Sequence, residues 1–182
     1  MKIIFLDVYG VLVHANYSNK ENLHIDEEKV KILKEIVDKT DAKIVLSSTW
    51  KNFYQKDVSP NKNRYEVLEK VLEKNNLKIY DRLPGIKPVL LTEEEKKLKK
   101  YRKTTTKYNP YTIRSGEVYS YLKNNKIESF LIIDDRDFDW KFFGYHKRLV
   151  KTSYKKNGLL KKHIKKAVKI LNKKRKKVIK WK

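Results

Sequence analysis

The chain has 182 residues, of which 40% are hydrophobic and 12% aromatic, enough apolar material for one domain with a buried core. Lys and Arg number 45 against 22 Asp and Glu, so the formal charge is +23. Residues 151–182 hold fifteen of these cations and no acid, which leaves +8 for residues 1–150. The chain contains no cysteine, which excludes disulfides, thiolate metal sites and cysteine nucleophiles.

The N-terminal segment has a short apolar run that Asp7 interrupts, and no signal-peptide cleavage pattern follows it. No stretch approaches the roughly 20 apolar residues that a membrane span requires. We therefore predict a soluble, intracellular protein of the cytoplasm.

Three short apolar runs predict strands that are buried on both faces, as in parallel sheets. They occupy residues 3–6, 42–46 and 130–133, and each is followed directly by polar side chains. Helical patterns lie between them, with Asp26, Thr92 and Ser115 at candidate N-caps. The alternation predicts a three-layer α/β/α, doubly wound parallel sheet of Rossmann-like type.

The remaining segments set the predicted domain organisation. Residues 81–112 contain three prolines and a polar run, which indicates an excursion from the core or a partial lid. An amphipathic basic helix follows Gly158, with a lysine-rich face opposite an apolar one. We expect one domain over residues 1–171 and a basic tail over residues 172–182.

Polar residues at the ends of the predicted strands carry the candidate chemistry, because ligands bind at the carboxyl edge of such sheets. Asp7 stands before a glycine turn and could act as a nucleophile or stabilise the turn. Ser47, Ser48 and Thr49 offer hydroxyls that could bind phosphoryl oxygens, although such residues commonly end strands. The adjacent Asp134 and Asp135 repel each other unless a cation intervenes, and oxygen-rich sites of this kind suit Mg²⁺.

Together these segments resemble the haloacid dehalogenase superfamily, and most closely the phosphatase-like domains of multi-domain RNA repair proteins. The resemblance rests on Asp-Val-Tyr-Gly-Val-Leu, Ser-Ser-Thr-Trp-Lys, Arg-Ser-Gly-Glu-Val and Ile-Ile-Asp-Asp. The Ile-Asp-Asp-Arg stretch also looks like that of 5′(3′)-deoxyribonucleotidases.

The resemblance implies a Mg²⁺-dependent phosphohydrolase with an aspartyl-phosphate intermediate on Asp7. It assigns the phosphate-binding hydroxyl to Ser48, with Ser47 as the alternative, and the phosphate-binding cation to Arg114, with Lys107 and Lys87 as alternatives. The implied metal ligands are the Asp7 carboxylate, the Tyr9 backbone carbonyl, and Asp134 or Asp135.

Tyr9 departs from the family pattern, because the phosphatases usually have a second Asp there as acid and base. A phenol can donate a proton but is a poor base at neutral pH. We therefore expect slow turnover or a long-lived phosphoenzyme. True haloacid dehalogenases also carry Tyr at this position, but they lack the acidic pair, which argues against carbon–halogen chemistry.

Two functions remain open at this point. Only a short segment separates Leu12 from the first helix, so a minimal cap would leave the site open to polymer ends. Residues 155–182 could bind nucleic acid through their cations, or be a solvated basic surface. The first hypothesis is a phosphohydrolase acting on a nucleic-acid end or nucleotide. The alternative is a catalytically weak module that binds phosphate and nucleic acid.

Overall fold

The computed structural model describes residues 1–16, 24–53, 64–101 and 104–173 of the chain. Five parallel strands form one sheet in the order β3-β2-β1-β4-β5. The strands are β1 (Lys2–Leu6), β2 (Lys43–Leu46), β3 (Ile79–Arg82), β4 (Ser129–Asp134) and β5 (Leu149–Lys151). The predicted parallel α/β fold is therefore confirmed.

Helices cover both faces of this sheet, which gives three layers. The covering helices are α1 (Glu27–Asp38), α2 (Arg64–Lys74), α4 (Arg114–Asn124) and α5 (Lys162–Leu171), whereas the short α3 (Glu93–Lys97) buries none of its residues. Ile4 and Leu6 belong to the apolar cluster that α1, α2 and α5 cover, whereas Ile3 and Phe5 belong to the cluster that α4 covers. The alternation arises because successive strand residues point to opposite faces of a sheet.

The order of the strands determines where the polar strand ends meet. From β1 the chain winds outward through β2 and β3, then returns so that β4 lies on the other side of β1. The carboxyl ends of β2, β1 and β4 are thus neighbours, and the sheet changes winding direction between β1 and β4. Parallel α/β proteins bind their ligands at such a switch point.

Two strands and one cap differ from the sequence-based expectations. The exposed, polar β3 and the three-residue β5 lack the buried apolar run that marks the central strands. Ser115 does not cap α4, because the helix already begins at Arg114 and the Ser115 hydroxyl donates to the Pro110 carbonyl (3.1 Å). The predicted excursion contains α3, which begins with the expected capping box at Thr92.

The basic helix after Gly158 is present as α5, with its lysines exposed and its apolar face buried against the sheet. Its C-terminal end is held by Arg148, whose guanidinium donates to the carbonyls of Ile170 and Lys173 (2.8 Å each). Residues 174–182 of the predicted tail lie outside the described residues. None of the helices in the described ranges combines the length and apolarity that a membrane span requires.

Candidate active site

Asp7 lies at the carboxyl end of β1, where its backbone N–H continues the pairing with β4 by donating to the Ile133 carbonyl (3.0 Å). Its side chain is almost fully buried. A tight turn follows, in which the Val8 carbonyl accepts from the backbone N–H groups of Val11, Leu12 and Val13. A carboxylate held this way is fixed in direction by the sheet and the turn.

Gly10 is required in this turn for two reasons. Its φ of +72° lies in the left-handed region that favours glycine. A β-carbon at position 10 would also lie 2.2 Å from the carboxyl carbon of Asp135. The absence of a side chain at Gly10 therefore lets the Asp135 carboxylate approach the turn that follows Asp7.

The carboxylates of Asp7, Asp134 and Asp135 converge at the sheet edge, each offering an oxygen within 4.8 Å of the others. Asp134 is fully buried at the end of β4, and its Oδ1 accepts the backbone N–H of Arg136 (2.9 Å). The structure thus brings together acids that are more than a hundred residues apart in the chain.

Arg114 lies between two of these acids at the start of α4. Its Nη1 is 3.0 Å from an Asp7 oxygen and 2.7 Å from an Asp134 oxygen. Burial disfavours the guanidinium charge, but the carboxylates of Asp134 and Asp7 outweigh it and raise the pKa of Arg114. Lys107 and Lys87, the alternatives from the sequence, form no ion pair with these acids within the described ranges.

The acids repel one another despite this partner. Burial raises the pKa of the Asp134 carboxyl; the Arg114 guanidinium opposes that shift and the Asp7 carboxylate adds to it. Burial and the Asp7 carboxylate likewise raise the pKa of Asp135. Three carboxylates facing one guanidinium leave an excess of two negative charges when all are ionised.

A divalent cation fits this donor set. Carboxylate oxygens are the ligands that Mg²⁺ prefers, and it is commonly held by one or two carboxylates together with substrate phosphate oxygens. Its two positive charges would match the charge excess of the cluster. Asp7, Asp134 and Asp135 are the side chains that would hold it.

The hydroxyls of Ser47 and Ser48 lie at the end of the neighbouring strand β2. Both oxygens are buried, and neither has a hydrogen-bond partner within the part of the chain that the structure describes. Buried hydroxyls without partners are costly, so their retention indicates that something else supplies the partner. Thr49, by contrast, is exposed and lines the cleft described below.

The Tyr9 side chain packs against an aromatic neighbour. Its ring makes an edge contact with Trp50 (centroids 5.8 Å apart) and lies 5.9 Å from the Arg64 guanidinium. Tyr9 is partly buried against the apolar cluster on the α1 side of the sheet. The ring is thus held by packing as well as by its place in the turn.

A buried ion pair beside the acids received no role from the sequence. Lys51, just after the serines, lies 2.6 Å from Glu117 of α4, and each side chain is only 7% exposed. The other Glu117 oxygen accepts the backbone N–H of Ile86 (3.0 Å). Burial lowers the pKa of Lys51, and the Glu117 carboxylate opposes that shift. The sequence places both residues in motifs that carry the resemblance, and Glu117 lies one helical turn after Arg114, but neither feature predicts that they pair.

These residues border a cleft of about 560 Å³ next to Arg114. Its walls come from three segments, residues 85–88, 106–108 and 136–138, in addition to the Lys51–Glu117 pair. The first two walls belong to the excursion predicted as a partial lid, so that segment shapes the surface beside the acids.

One family comparison gave a match. The model of the family described as "HAD domain in Swiss Army Knife RNA repair proteins" matches residues 3–164, which includes the acids, the serines and Arg114. Comparisons with curated proteins and with solved structures gave no significant match. The match supports hydrolase chemistry of the phosphohydrolase type in general. The chain therefore belongs to the haloacid dehalogenase-type (HAD) domains of Swiss Army Knife RNA repair proteins.

Proposed function

We propose that this domain is a Mg²⁺-dependent phosphohydrolase that forms an aspartyl-phosphate on Asp7 and acts on a nucleic-acid end or a nucleotide. The observation that carries the proposal is the convergence at one sheet edge of three carboxylates, one buried guanidinium and two hydroxyls that have no hydrogen-bond partner among the described residues. This combination can hold a phosphoryl group beside a nucleophile.

The proposed chemistry has two steps. An Asp7 oxygen attacks phosphorus, the bond from phosphorus to the leaving oxygen breaks, and that oxygen takes a proton from Tyr9 or from water. Water then attacks the aspartyl-phosphate, which releases phosphate and restores the Asp7 carboxylate. Bound Mg²⁺ would supply positive charge to the phosphoryl oxygens throughout. Arg114 and the hydroxyls of Ser47 and Ser48 would hold those oxygens as charge develops.

With Tyr9 in place of the usual second Asp, hydrolysis of the aspartyl-phosphate should be slow. A phenol can give a proton to the leaving group but is a poor base toward water at neutral pH. Tyr9 is also packed against Trp50, which limits its freedom to approach a water molecule. The phosphoenzyme should therefore accumulate.

The same residue favours a second candidate, a phosphate-binding module with little or no turnover that recognises nucleic acid. The acids, Arg114 and the serines would then hold a terminal phosphate without cleaving it. Exposed lysines of α5, Lys162, Lys165, Lys166 and Lys169, would attract the phosphate backbone.

One assay separates the two candidates. Purified protein is incubated with p-nitrophenyl phosphate and with 5′- and 3′-phosphorylated oligonucleotides, with Mg²⁺ or with EDTA. Phosphate release that needs Mg²⁺ and that Asp7→Asn abolishes supports the phosphohydrolase. Tight oligonucleotide binding would support the binding module if it occurs with neither phosphate release nor acid-stable labelling of Asp7.

A further inference from the structure

The cleft beside Arg114 contains cationic groups that phosphoryl transfer at Asp7 does not need. Lys51, Lys107 and Arg136 line it together with Arg114, while its acidic lining is Glu117 and Asp137. Phosphate binding at the carboxylates requires Arg114. The other cations lie where the remainder of a substrate, rather than its scissile phosphate, would extend.

Lys51 has unused hydrogen-bonding capacity at this wall. An ammonium group has three donors, and within the described residues Lys51 gives one of them to Glu117. Its side chain is only 7% exposed, so water satisfies few of its remaining donors. A buried cation with free donors at the edge of a cleft is suited to an anionic oxygen of a ligand.

Aromatic side chains also line the cleft, and cations lie against their rings. The Phe138 ring lies in the cleft lining with the guanidinium of Arg114 4.4 Å from its centroid and that of Arg136 5.1 Å away. Tyr108 and Ile86 also line the cleft. An aromatic ring beside cations suits single-stranded nucleic acid, since a base can stack on the ring and phosphates can contact the cations.

A buried carboxylate holds two of the walls together. Asp139 is 3% exposed and accepts the hydroxyls of Thr105 (2.7 Å) and Thr106 (2.6 Å), as well as the backbone N–H groups of both residues. The wall that contains Lys107 and Tyr108 is thereby fixed to the loop that contains Arg136 and Phe138. These hydrogen bonds therefore fix the relative positions of two walls of the cleft.

We propose that this cleft is a leaving-group subsite that binds a nucleoside together with a second anionic group, so that a terminal phosphate on a polynucleotide is preferred over a mononucleotide. The nucleoside lies along Tyr108, and the neighbouring phosphodiester contacts Lys51 and Lys107. The proposal rests on the proposed function in placing the terminal phosphate at Asp7.

The test compares kcat/KM for substrates that share the same terminal phosphate. These are p-nitrophenyl phosphate, a nucleoside monophosphate, and a dinucleotide that carries the same terminal phosphate. The mononucleotide and the dinucleotide are each tested with a 5′- and with a 3′-phosphate, and with ribose and with deoxyribose. We expect kcat/KM for the dinucleotide to exceed that for the mononucleotide by about tenfold or more for one polarity, because the second phosphate gains a charge-assisted hydrogen bond.

Two variants probe the second anion contact. Lys107→Met removes an exposed cation with little risk to folding. In Lys51→Met/Glu117→Gln, both charges of the buried pair are removed while an acceptor for the Ile86 N–H is kept. Each should lower the dinucleotide-to-mononucleotide ratio several-fold. Lys126→Met is the control, because this exposed lysine precedes β4 at the opposite edge of the sheet and should leave the ratio unchanged.

Asp139→Asn tests the connection between the walls. It should raise KM for the dinucleotide more than for p-nitrophenyl phosphate, with kcat for the small substrate affected less. A general folding defect would instead lower the rates for both substrates in parallel.

Equal kcat/KM for mononucleotide and dinucleotide at both polarities would overturn the subsite, as would a ratio that neither Lys107→Met nor the double variant changes. Failure of the proposed function looks different, because none of the substrates would then be hydrolysed. In that case the subsite is decided by Kd, measured with the same phosphorylated mono- and dinucleotides on Asp7→Asn protein. A dinucleotide preference that Lys107→Met abolishes supports the subsite, and equal Kd values refute it.

Discussion

Replacing Arg114 with methionine isolates the electrostatic problem at the centre of the site. The substitution removes the cation that lies 3.0 Å from Asp7 and 2.7 Å from Asp134 while keeping an apolar side chain of similar length. Both carboxylates are almost completely buried. In the metal-free protein they would then face each other and Asp135 without an ion-pair partner among the described residues.

The expected cost follows from that burial. Removing one partner of a buried ion pair destabilises a protein by about 3–5 kcal/mol, because the remaining charge is left uncompensated. For a domain of 150–250 residues this corresponds to a decrease in Tm of about 10 °C. Mg²⁺ should recover much of the loss, since its own repulsion from Arg114 is gone and the carboxylates become better ligands. A ligand at a hundred times its Kd contributes about 2.7 kcal/mol.

The assay is thermal and urea unfolding of wild type, Arg114→Met and the surface control Lys126→Met, each in EDTA and in millimolar Mg²⁺. We expect a large Tm difference between wild type and Arg114→Met in EDTA, a smaller one in Mg²⁺, and no difference for the control. Phosphate release should be lost in both conditions. A Tm difference that Mg²⁺ leaves unchanged would refute the idea that the cation and Arg114 compensate the same carboxylates.

Three further predictions concern the same turn and acids. Tyr9→Asp should speed dephosphorylation of a trapped phosphoenzyme by at least about tenfold, which lies within the range for general base catalysis. The rate is measured by rapid quench, and an unchanged rate would show that Tyr9 does not limit this step. Burial raises the pKa of Asp134 and Asp135, so the metal-free folded protein holds protons on these carboxyls at pH values where the unfolded chain has released them. The stability that comes from this proton binding is present at low pH and declines as the pH rises through the raised pKa values. Protons therefore compete with Mg²⁺, and the increase in Tm on adding Mg²⁺ should be larger at pH 8 than at pH 5.5; an increase independent of pH would contradict this. Gly10→Ala should weaken Mg²⁺ binding measured by calorimetry, because the new β-carbon would displace Asp135, and unchanged affinity would show that Asp135 is not a ligand.

The sequence predicted the central strands well because their signal is strong. A strand buried on both faces needs an unbroken apolar run, and β1, β2 and β4 have one. The outer strands were missed for the opposite reason. β3 is largely exposed and reads Ile-Tyr-Asp-Arg, and β5 has three residues, so neither carries a pattern that separates it from a loop.

The positions of the candidate site residues could be expected from the same pattern, since parallel strands deliver their ends to one edge. Asp7, Ser47, Ser48 and Asp134 follow strands that are neighbours in the sheet. Arg114 was harder to choose over Lys107, because it follows no strand. What distinguishes it is the packing of α4: a β-carbon at Gly116 would lie 2.1 Å from the Tyr111 carbonyl oxygen, so the first turn of the helix is pressed against the preceding segment.

The Lys51–Glu117 pair and the Asp139 contacts could not be predicted by residue type. The pair joins residues 66 apart in the chain, and the Asp139 contacts join residues about 34 apart. Lysine, glutamate and threonine are common on surfaces, so even the quoted motifs do not indicate that these side chains are buried against one another. Only the folded arrangement shows that they build a wall of the cleft. Sequence motifs thus located the candidate reacting groups, whereas the surroundings proposed to select a substrate depend on long-range packing.

Charge balance connects the fold to the proposed chemistry. Within the described residues, Arg114 is the cation paired with the acids, and the nearby Lys51 is paired with Glu117 instead. Full ionisation of three carboxylates beside one guanidinium is disfavoured here, and either protons or a divalent cation would relieve the excess negative charge. Protonation would neutralise the oxygens that the metal and the phosphorus require. The cation that stabilises the ionised site is therefore the same one that would activate it, and the stability of this domain should follow Mg²⁺ concentration wherever its activity does.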